Sequence, residues 1–137
     1  MTWTAPSGHV FAMSENVSAA TLNTYIQANL TYLYGDLVWT VPTLTNGWTT
    51  PHTVAFKQVG SLIIFRGNMT PGTYGSAAFT LPAGYRPPTQ VNGAATASGG
   101  ATAVLQLVQV NTTGTVVVAG SGTALVWLDS LWFDTLT

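Results

Sequence analysis

The chain has 137 residues, of which only 5% are charged and 47% are hydrophobic, and its formal net charge is −1. Soluble domains carry roughly a quarter charged residues, so this surface must be built from uncharged residues, and we expect much of it to face other protein. The near-neutral charge disfavours nucleic acid as a partner, the lack of cysteine excludes disulfides and thiolate metal sites, and no apolar run in the sequence approaches the roughly 18 residues that span a membrane.

The first part of the chain combines an irregular arm with a predicted helix. Residues 1–17 show no periodicity, since Pro6 and Gly8 interrupt it. Ser18 is a suitable N-cap for the helix, and Gly35 stands where a C-cap glycine belongs. One face of this helix carries the apolar stripe Leu22, Ile26, Asn29, Leu30 and Leu33. The stripe predicts a contact with either the chain's own sheet or another subunit, and both alternatives stay open.

From Asp36 the spacing of apolar residues changes to two, and segments rich in Val, Ile, Phe, Trp and Thr are separated by Gly, Pro and Asn. This pattern predicts strands near 37–41, 53–59, 61–67, 76–81, 88–97, 102–110, 114–119, 123–128 and 130–135. Tight turns are expected at Asn46–Gly47, at Gly60 and at 111–114. We therefore predict a mainly β protein, an antiparallel β-sandwich or jelly-roll-like head with one short N-terminal α-helix. The predicted domains are an anchoring arm and helix, residues 1–35, and a head, residues 36–137.

Several predicted strands are apolar at consecutive positions instead of alternate ones. These runs are 62–65, 116–118, 125–128 and 131–133. A sheet with one face in water alternates strictly between apolar and polar residues, so these strands indicate that both faces are covered. We expect the second cover to be another copy of the chain and predict a homotrimer, because a closed cyclic assembly covers such faces without forming filaments.

Residue types that carry chemistry are scarce. His9 and His52 lack neighbours with the spacing of metal ligands. Asp129 and Asp134 resemble the paired carboxylates of glycosidases only in that both stand near one bend. The sequence contains no nucleophile elbow, phosphate-binding loop or dinucleotide fingerprint. We expect no catalytic residue, no cofactor and no metal.

Aromatic residues leave one binding hypothesis open. Exposed aromatic rings can stack on sugars, but packing in cores and interfaces is their commoner use. The tryptophans are scattered at Trp3, Trp39, Trp48, Trp127 and Trp132. Tyr74 and Tyr85 lie in loops rich in Gly and Pro, and with Arg86 they form a candidate exposed contact loop.

Two stretches resemble virion proteins of long-tailed bacteriophages. Residues 2–35 begin Thr-Trp-Thr-Ala-Pro and continue into Ser18-Ala-Ala-Thr-Leu-Asn. They are similar to an N-terminal module of small phage structural proteins, except that Ala28 replaces its usual acidic residue. Residues 44–133 resemble the head domain of phage fibres and minor structural proteins. The motifs are Leu44-Thr-Asn-Gly-Trp48, Leu62-Ile-Ile-Phe-Arg-Gly67, Phe79-Thr-Leu-Pro-Ala-Gly-Tyr-Arg-Pro87 and Trp127-Leu-Asp-Ser-Leu-Trp-Phe133.

The resemblance implies a non-enzymatic protein on the outer surface of the virion, a trimer of β-sandwich heads whose partners are its own copies and other virion proteins. One role is capsid decoration as a head fibre, and the other is host attachment as a tail fibre or tail-tip receptor-binding protein. The lack of shaft repeats favours decoration. A carbohydrate-binding module that recognises a host-surface glycan is a further alternative.

The irregular arm is predicted to dock the protein onto the virion. A segment of this kind becomes ordered only when it buries its apolar groups against a partner. The candidate docking residues are Trp3, Val10, Phe11 and Met13.

Overall fold

The computed structural model of the protein describes residues 18, 20, 23–27, 30, 38–98 and 103–136. In the N-terminal part of the chain, residues 20, 23–27 and 30 are helical, as predicted. Ile26 and Leu30 of the apolar stripe are each 46% exposed, so these two side chains are not buried against the sheet. The other predicted stripe and docking residues lie outside the described part of the chain: Leu22, Asn29, Leu33, Trp3, Val10, Phe11 and Met13.

The described part of the head contains eight strands in one antiparallel sheet, which confirms the predicted fold class. The strands are β1 (Thr49–Val59), β2 (Leu62–Thr70), β3 (Ala77–Thr80), β4 (Val91–Ser98), β5 (Ala103–Val110), β6 (Thr115–Ala119), β7 (Leu125–Trp127) and β8 (Trp132–Asp134). Their order is β1-β2-β7-β4-β5-β6-β3, and β8 also pairs with β2.

The strand predicted over 37–41 is not formed in the described residues of that segment. Only Thr40 pairs with the sheet, through a single bridge to Phe56 on the edge of β1. Pro42, two positions after Thr40, has no backbone N–H to donate, so the pairing does not continue through it.

The sheet curls until strands from distant parts of its order meet across one core. The ring of Phe65 on β2 lies 6.3 Å from that of Phe56, 6.2 Å from that of Phe79 and 6.0 Å from that of Phe133. Phe79 lies on β3, which is at the far end of the strand order from β1. One continuous sheet therefore supplies both layers of the predicted sandwich.

The predicted tight turns are present. Asn46 and Gly47 have φ angles of 52° and 79°, which is the left-handed pair that an Asn-Gly turn requires. The hairpin between β1 and β2 turns at Gly60, where Val59 pairs with Leu62.

The segment 79–87 is held in place by its own arginine. Arg86 Nε donates a hydrogen bond to the carbonyl oxygen of Leu81 at 3.0 Å. A Cβ atom on Gly114 would lie 2.8 Å from the same nitrogen, so the side chain is packed closely against the neighbouring turn. Arg86 therefore has a fixed acceptor, and that acceptor belongs to its own loop.

Candidate binding face of the sheet

The strands present alternate residues to the core and to an outward face. On β2, Ile63 is buried and Leu62 is 37% exposed; on β8, Phe133 is buried and Trp132 is 62% exposed. The consecutive apolar runs of the sequence therefore do place apolar side chains on both sides of the sheet. The outward ones lie at the surface of the single chain.

One row of outward residues crosses five neighbouring strands. His52 pairs with Asn68, Asn68 with Trp127, Trp127 with Thr96, and Thr96 with Leu105. Trp127 is 37% exposed and Leu105 is 75% exposed. We call these five residues the central row. It brings an imidazole, an amide, an indole, a hydroxyl and an aliphatic side chain together on one face.

The amide of Asn68 is the polar centre of the central row. The residue is fully buried although it points outward, because His52 and Trp127 flank it and stack on each other, with ring centroids 6.1 Å apart. Asn68 Nδ2 lies 3.2 Å from His52 Nδ1, whereas Asn68 Oδ1 has no hydrogen-bond partner among the described residues. A buried polar atom without a partner costs about 1–3 kcal/mol, and such atoms are found where a structure serves a function.

A β-bulge places His52 on this face. The step from His52 to Ala55 on β1 is three residues, opposite a step of two residues on β2. Two residues that are three apart on a regular strand point to opposite faces. The bulge instead turns both His52 and Ala55 to the outward face. Gly67 makes the close approach between the strands feasible, since a Cβ atom there would lie 2.3 Å from the carbonyl oxygen of Thr53.

Two of the three Lys and Arg residues of the chain meet at a second place on the outward face. Arg66 Cζ lies 4.3 Å from the ring centroid of Trp39, and Lys57 Nζ lies 4.8 Å from it. Lys57 and Arg66 are diagonal neighbours on β1 and β2, because Lys57 pairs with Ile64 and Ala55 pairs with Arg66. We call Trp39, Lys57 and Arg66 the Trp39 cluster.

Within the described residues, neither Arg66 nor Arg86 pairs with a C-terminal aspartate. Arg66 lies over an indole, and Arg86 donates to a backbone carbonyl. Asp129 Oδ1 accepts a hydrogen bond from the backbone N–H of Gly67 at 3.1 Å, and Asp134 Oδ1 accepts one from the N–H of Leu136 at 2.8 Å. Both carboxylates therefore accept hydrogen bonds from the backbone of nearby segments.

The expectation that Tyr74 and Tyr85 are exposed is corrected by their surroundings. Both side chains are partly buried against the core. The Tyr74 ring meets Trp48 edge to face at 5.3 Å, and the Tyr85 ring meets Phe56 in the same way at 5.2 Å. Burial also raises the pKa of the Tyr74 phenol. Of the three residues in the candidate contact loop, only Arg86 is exposed.

Most residues of the central row and the Trp39 cluster were not singled out from the sequence. The available signal was Trp127, which stands between residues typical of a core. Among the described residues there is no group of three or more His, Asp or Glu side chains that could hold a metal, and no helix there is long and apolar enough to cross a membrane.

No family model matches the sequence, and no curated protein matches it. Solved phage proteins do share its fold. The receptor binding protein gp15 of Listeria phage PSA superimposes with a TM-score of 0.61, at 18% identity, over 91% of this chain and 83% of that one. The head domain of phage bIL170, from work on receptor binding domains of lactococcal phages, gives a TM-score of 0.53 at 19% identity, over 74% of this chain and 100% of that one. The resemblance to phage head domains is thus confirmed at the level of the fold.

Proposed function

We propose that this protein is the receptor-binding head of a bacteriophage virion protein, which attaches the particle to its host and has no enzymatic activity. The observation that carries the proposal is the fold, which a Listeria phage receptor binding protein shares over 91% of this chain. The sequence favoured capsid decoration because it lacks shaft repeats. That argument concerns a shaft, whereas the structural likeness concerns the head itself, so we rank host attachment first.

The central row is the part of the head that we assign to the receptor, and a host-surface glycan is the ligand class that it fits. The indole of Trp127 offers a flat apolar surface to the C–H face of a sugar ring. Thr96 lies beside it with an exposed hydroxyl. Asn68 has an amide oxygen without a hydrogen-bond partner among the described residues. A few polar groups around an aromatic surface is the usual make-up of a small-ligand site.

The proposed working unit is a homotrimer. Three apolar residues lie close together at the surface: Val59, Leu62 and Trp132 are 42%, 37% and 62% exposed, respectively. Val59 pairs with Leu62 across β1 and β2, and Ile64, two residues further along β2, pairs with Trp132. We call these three residues the corner patch. A second copy is its proposed occupant, since a chain with 5% charged residues has few charges to keep an apolar corner soluble on its own.

The N-terminal part, residues 1–35, is proposed to join the head to the virion. Ile26 and Leu30 are each 46% exposed, so these two apolar side chains of the helix are available to a neighbouring protein. The docking residues remain Trp3, Val10, Phe11 and Met13, as the sequence predicts. Deletion of residues 1–17 should leave a folded head that no longer joins particles; a truncated chain that joins particles normally would place the docking contact in the head.

Host attachment is tested with the phage that carries this protein. Purified head, added in excess, should occupy host receptors and slow adsorption of the phage. Antibodies against the head should label the tail and block adsorption. Labelling confined to the capsid, with adsorption unchanged by either reagent, would contradict attachment and assign the protein to capsid decoration.

A further inference from the structure

We infer that the Trp39 cluster binds an anionic group of the receptor, so that the ligand is a surface polymer with phosphate or carboxylate substituents. The inference deepens the proposed function and rests on it. It starts from the distribution of charge: the whole chain has three Lys and Arg residues, and two of them lie over the same indole.

The arrangement leaves the hydrogen-bond donors of both cations available. Arg66 contacts Trp39 with the guanidinium above the ring. The five N–H donors of a guanidinium radiate from its edge, so they stay free for a planar or tetrahedral oxyanion. Lys57 adds an ammonium group with three further donors. Neither cation is paired with a carboxylate among the described residues.

The indole also orders both side chains before a ligand arrives. Long cationic side chains lose rotamer entropy when they are fixed. Lys57 and Arg66 are held over Trp39 at 4.8 Å and 4.3 Å, which supplies part of that ordering in the free protein. An anion that binds to a pre-ordered pair is bound more tightly for this reason.

A purely structural role does not require this pair. The segment 38–41 is held to the edge of β1 by the bridge between Thr40 and Phe56, and one cation over Trp39 would add a clamp. Lys57 and Arg66 are instead like charges at diagonal positions on adjacent strands, and like charges repel each other. A bound anion removes that repulsion.

The cluster is continuous with the central row. Arg66 and Asn68 are alternate residues of β2, so both point outward and are separated by about 7 Å along the strand. Apolar neighbours flank the other side, where Lys57 pairs with Ile64 and Ile64 pairs with Trp132. Low-polarity surroundings strengthen a charge interaction. One polymer with repeated anionic groups could therefore contact the cluster and the central row together.

The test measures binding of the full chain to polyphosphate, to polygalacturonate and to neutral dextran, at about 0.05 M and about 0.5 M salt. The double variant Lys57→Gln with Arg66→Gln removes the pair. Lys57→Arg keeps the charge, and Thr112→Gln introduces a glutamine in the exposed turn between β5 and β6, outside the cluster. We expect at least one polyanion to bind at low salt, with a loss of about tenfold or more in the double variant and at high salt, and with both controls near wild type. The preferred polyanion identifies phosphate or carboxylate as the group recognised.

A second readout keeps the test valid if the double variant does not fold. Polyphosphate or polygalacturonate, added to the labelled wild-type chain, should shift the indole N–H resonance of Trp39 more than those of Trp48, Trp127 and Trp132. Failure of both polyanions to bind, equal binding by the double variant, or a Trp39 resonance that does not move would overturn the inference.

The inference and the proposed function fail separately. Attachment of the fluorescent head to host cells that is insensitive to salt and to the double variant would retain the receptor-binding role and reject the anionic ligand. Polyanion binding at the Trp39 cluster by a head that does not attach to host cells would retain the anion site and reject the receptor-binding role.

Discussion

Asn68 Nδ2 lies 3.2 Å from His52 Nδ1 across β1 and β2, and this contact joins a buried amide to an exposed imidazole on the outward face of the sheet. The amide donates, so His52 accepts through a nitrogen that carries no proton. His52 in turn stacks on Trp127 at an interplanar angle of 23°. The three side chains therefore form one unit, in which His52 is the lid over the buried amide of Asn68.

The first prediction concerns this lid. His52→Ala should change the free energy of unfolding by no more than about 0.5 kcal/mol, because His52 is exposed and water replaces its contact with the amide. Attachment to host cells should fall by about tenfold, since Trp127 loses the ring that holds it in place. Urea unfolding and binding of the labelled head to host cells measure the two effects.

The matched control for this prediction is Thr112→Ala, in the exposed turn between β5 and β6, which should leave both quantities unchanged. Host binding equal to wild type in the His52 variant would show that the stacked pair takes no part in attachment.

The local elements of this fold could be predicted because their causes are local. The period of two and the turn signals at Asn46–Gly47 and Gly60 place most strands of the head. The exception near Thr40 arises because a single residue pairs with the sheet before Pro42. Residues 20, 23–27 and 30 are helical, within the segment that the capping residues and apolar spacing indicated.

The candidate site could not be predicted because its causes are not local. The central row depends on the register between strands that are distant in sequence, as when Trp127 pairs with Asn68 on one side and with Thr96 on the other. The orientation of His52 depends on a bulge, which reverses the alternation expected from the sequence. Tyr74 appears exposed from its Gly-rich loop, yet its ring finds an edge-to-face contact with Trp48.

The second prediction concerns Gly67, opposite the bulge. Gly67→Ala should destabilise the head by more than about 2 kcal/mol, because the new methyl group would overlap the backbone of Thr53 and because φ is +89°. Gly60→Ala is the matched control: its φ is also positive, at +62°, but a Cβ atom there meets nothing within 4 Å. It should cost about 1 kcal/mol.

Urea unfolding compares the two glycine variants. Equal destabilisation would mean that backbone conformation alone, and not the close approach of the strands at the bulge, determines the need for glycine at Gly67.

The third prediction concerns the buried hydroxyl of Tyr74, which has no hydrogen-bond partner among the described residues. Tyr74→Phe should leave the free energy of unfolding at pH 7 unchanged or slightly increased, because a group that makes no hydrogen bond is removed. Its effect should depend on pH. Burial raises the pKa of Tyr74 in the folded state above the ordinary 10.0. The stability that the neutral phenol contributes is therefore present below pH 10.0 and is lost as the pH rises through the folded-state pKa.

The measurement is urea unfolding of both proteins from about pH 9 to about pH 11. Wild type should lose more stability than Tyr74→Phe over this range. Parallel loss in the two proteins would show that the Tyr74 phenol is as accessible to solvent in the folded state as in the unfolded chain.

The fourth prediction concerns the corner patch and the proposed trimer. Light scattering of the purified chain should give three times 14.4 kDa, and the melting temperature should rise with protein concentration because assembly and folding are linked. Trp132→Asp should give a folded monomer, since Trp132 is 62% exposed in the single chain and does not support its core.

The neighbouring residue gives the contrast that makes this test specific to the interface. Leu131 begins the apolar run 131–133, which suggested an interface position, but it is 3% exposed and belongs to the core. Leu131→Asp should therefore lower the free energy of unfolding by about 3 kcal/mol or more, because it buries an unpaired charge. Thr112→Asp, in an exposed turn, should remain a folded trimer. A wild-type chain that is a stable monomer at all concentrations would reject the trimer, and a trimer that persists in Trp132→Asp would move the contact between copies away from the corner patch.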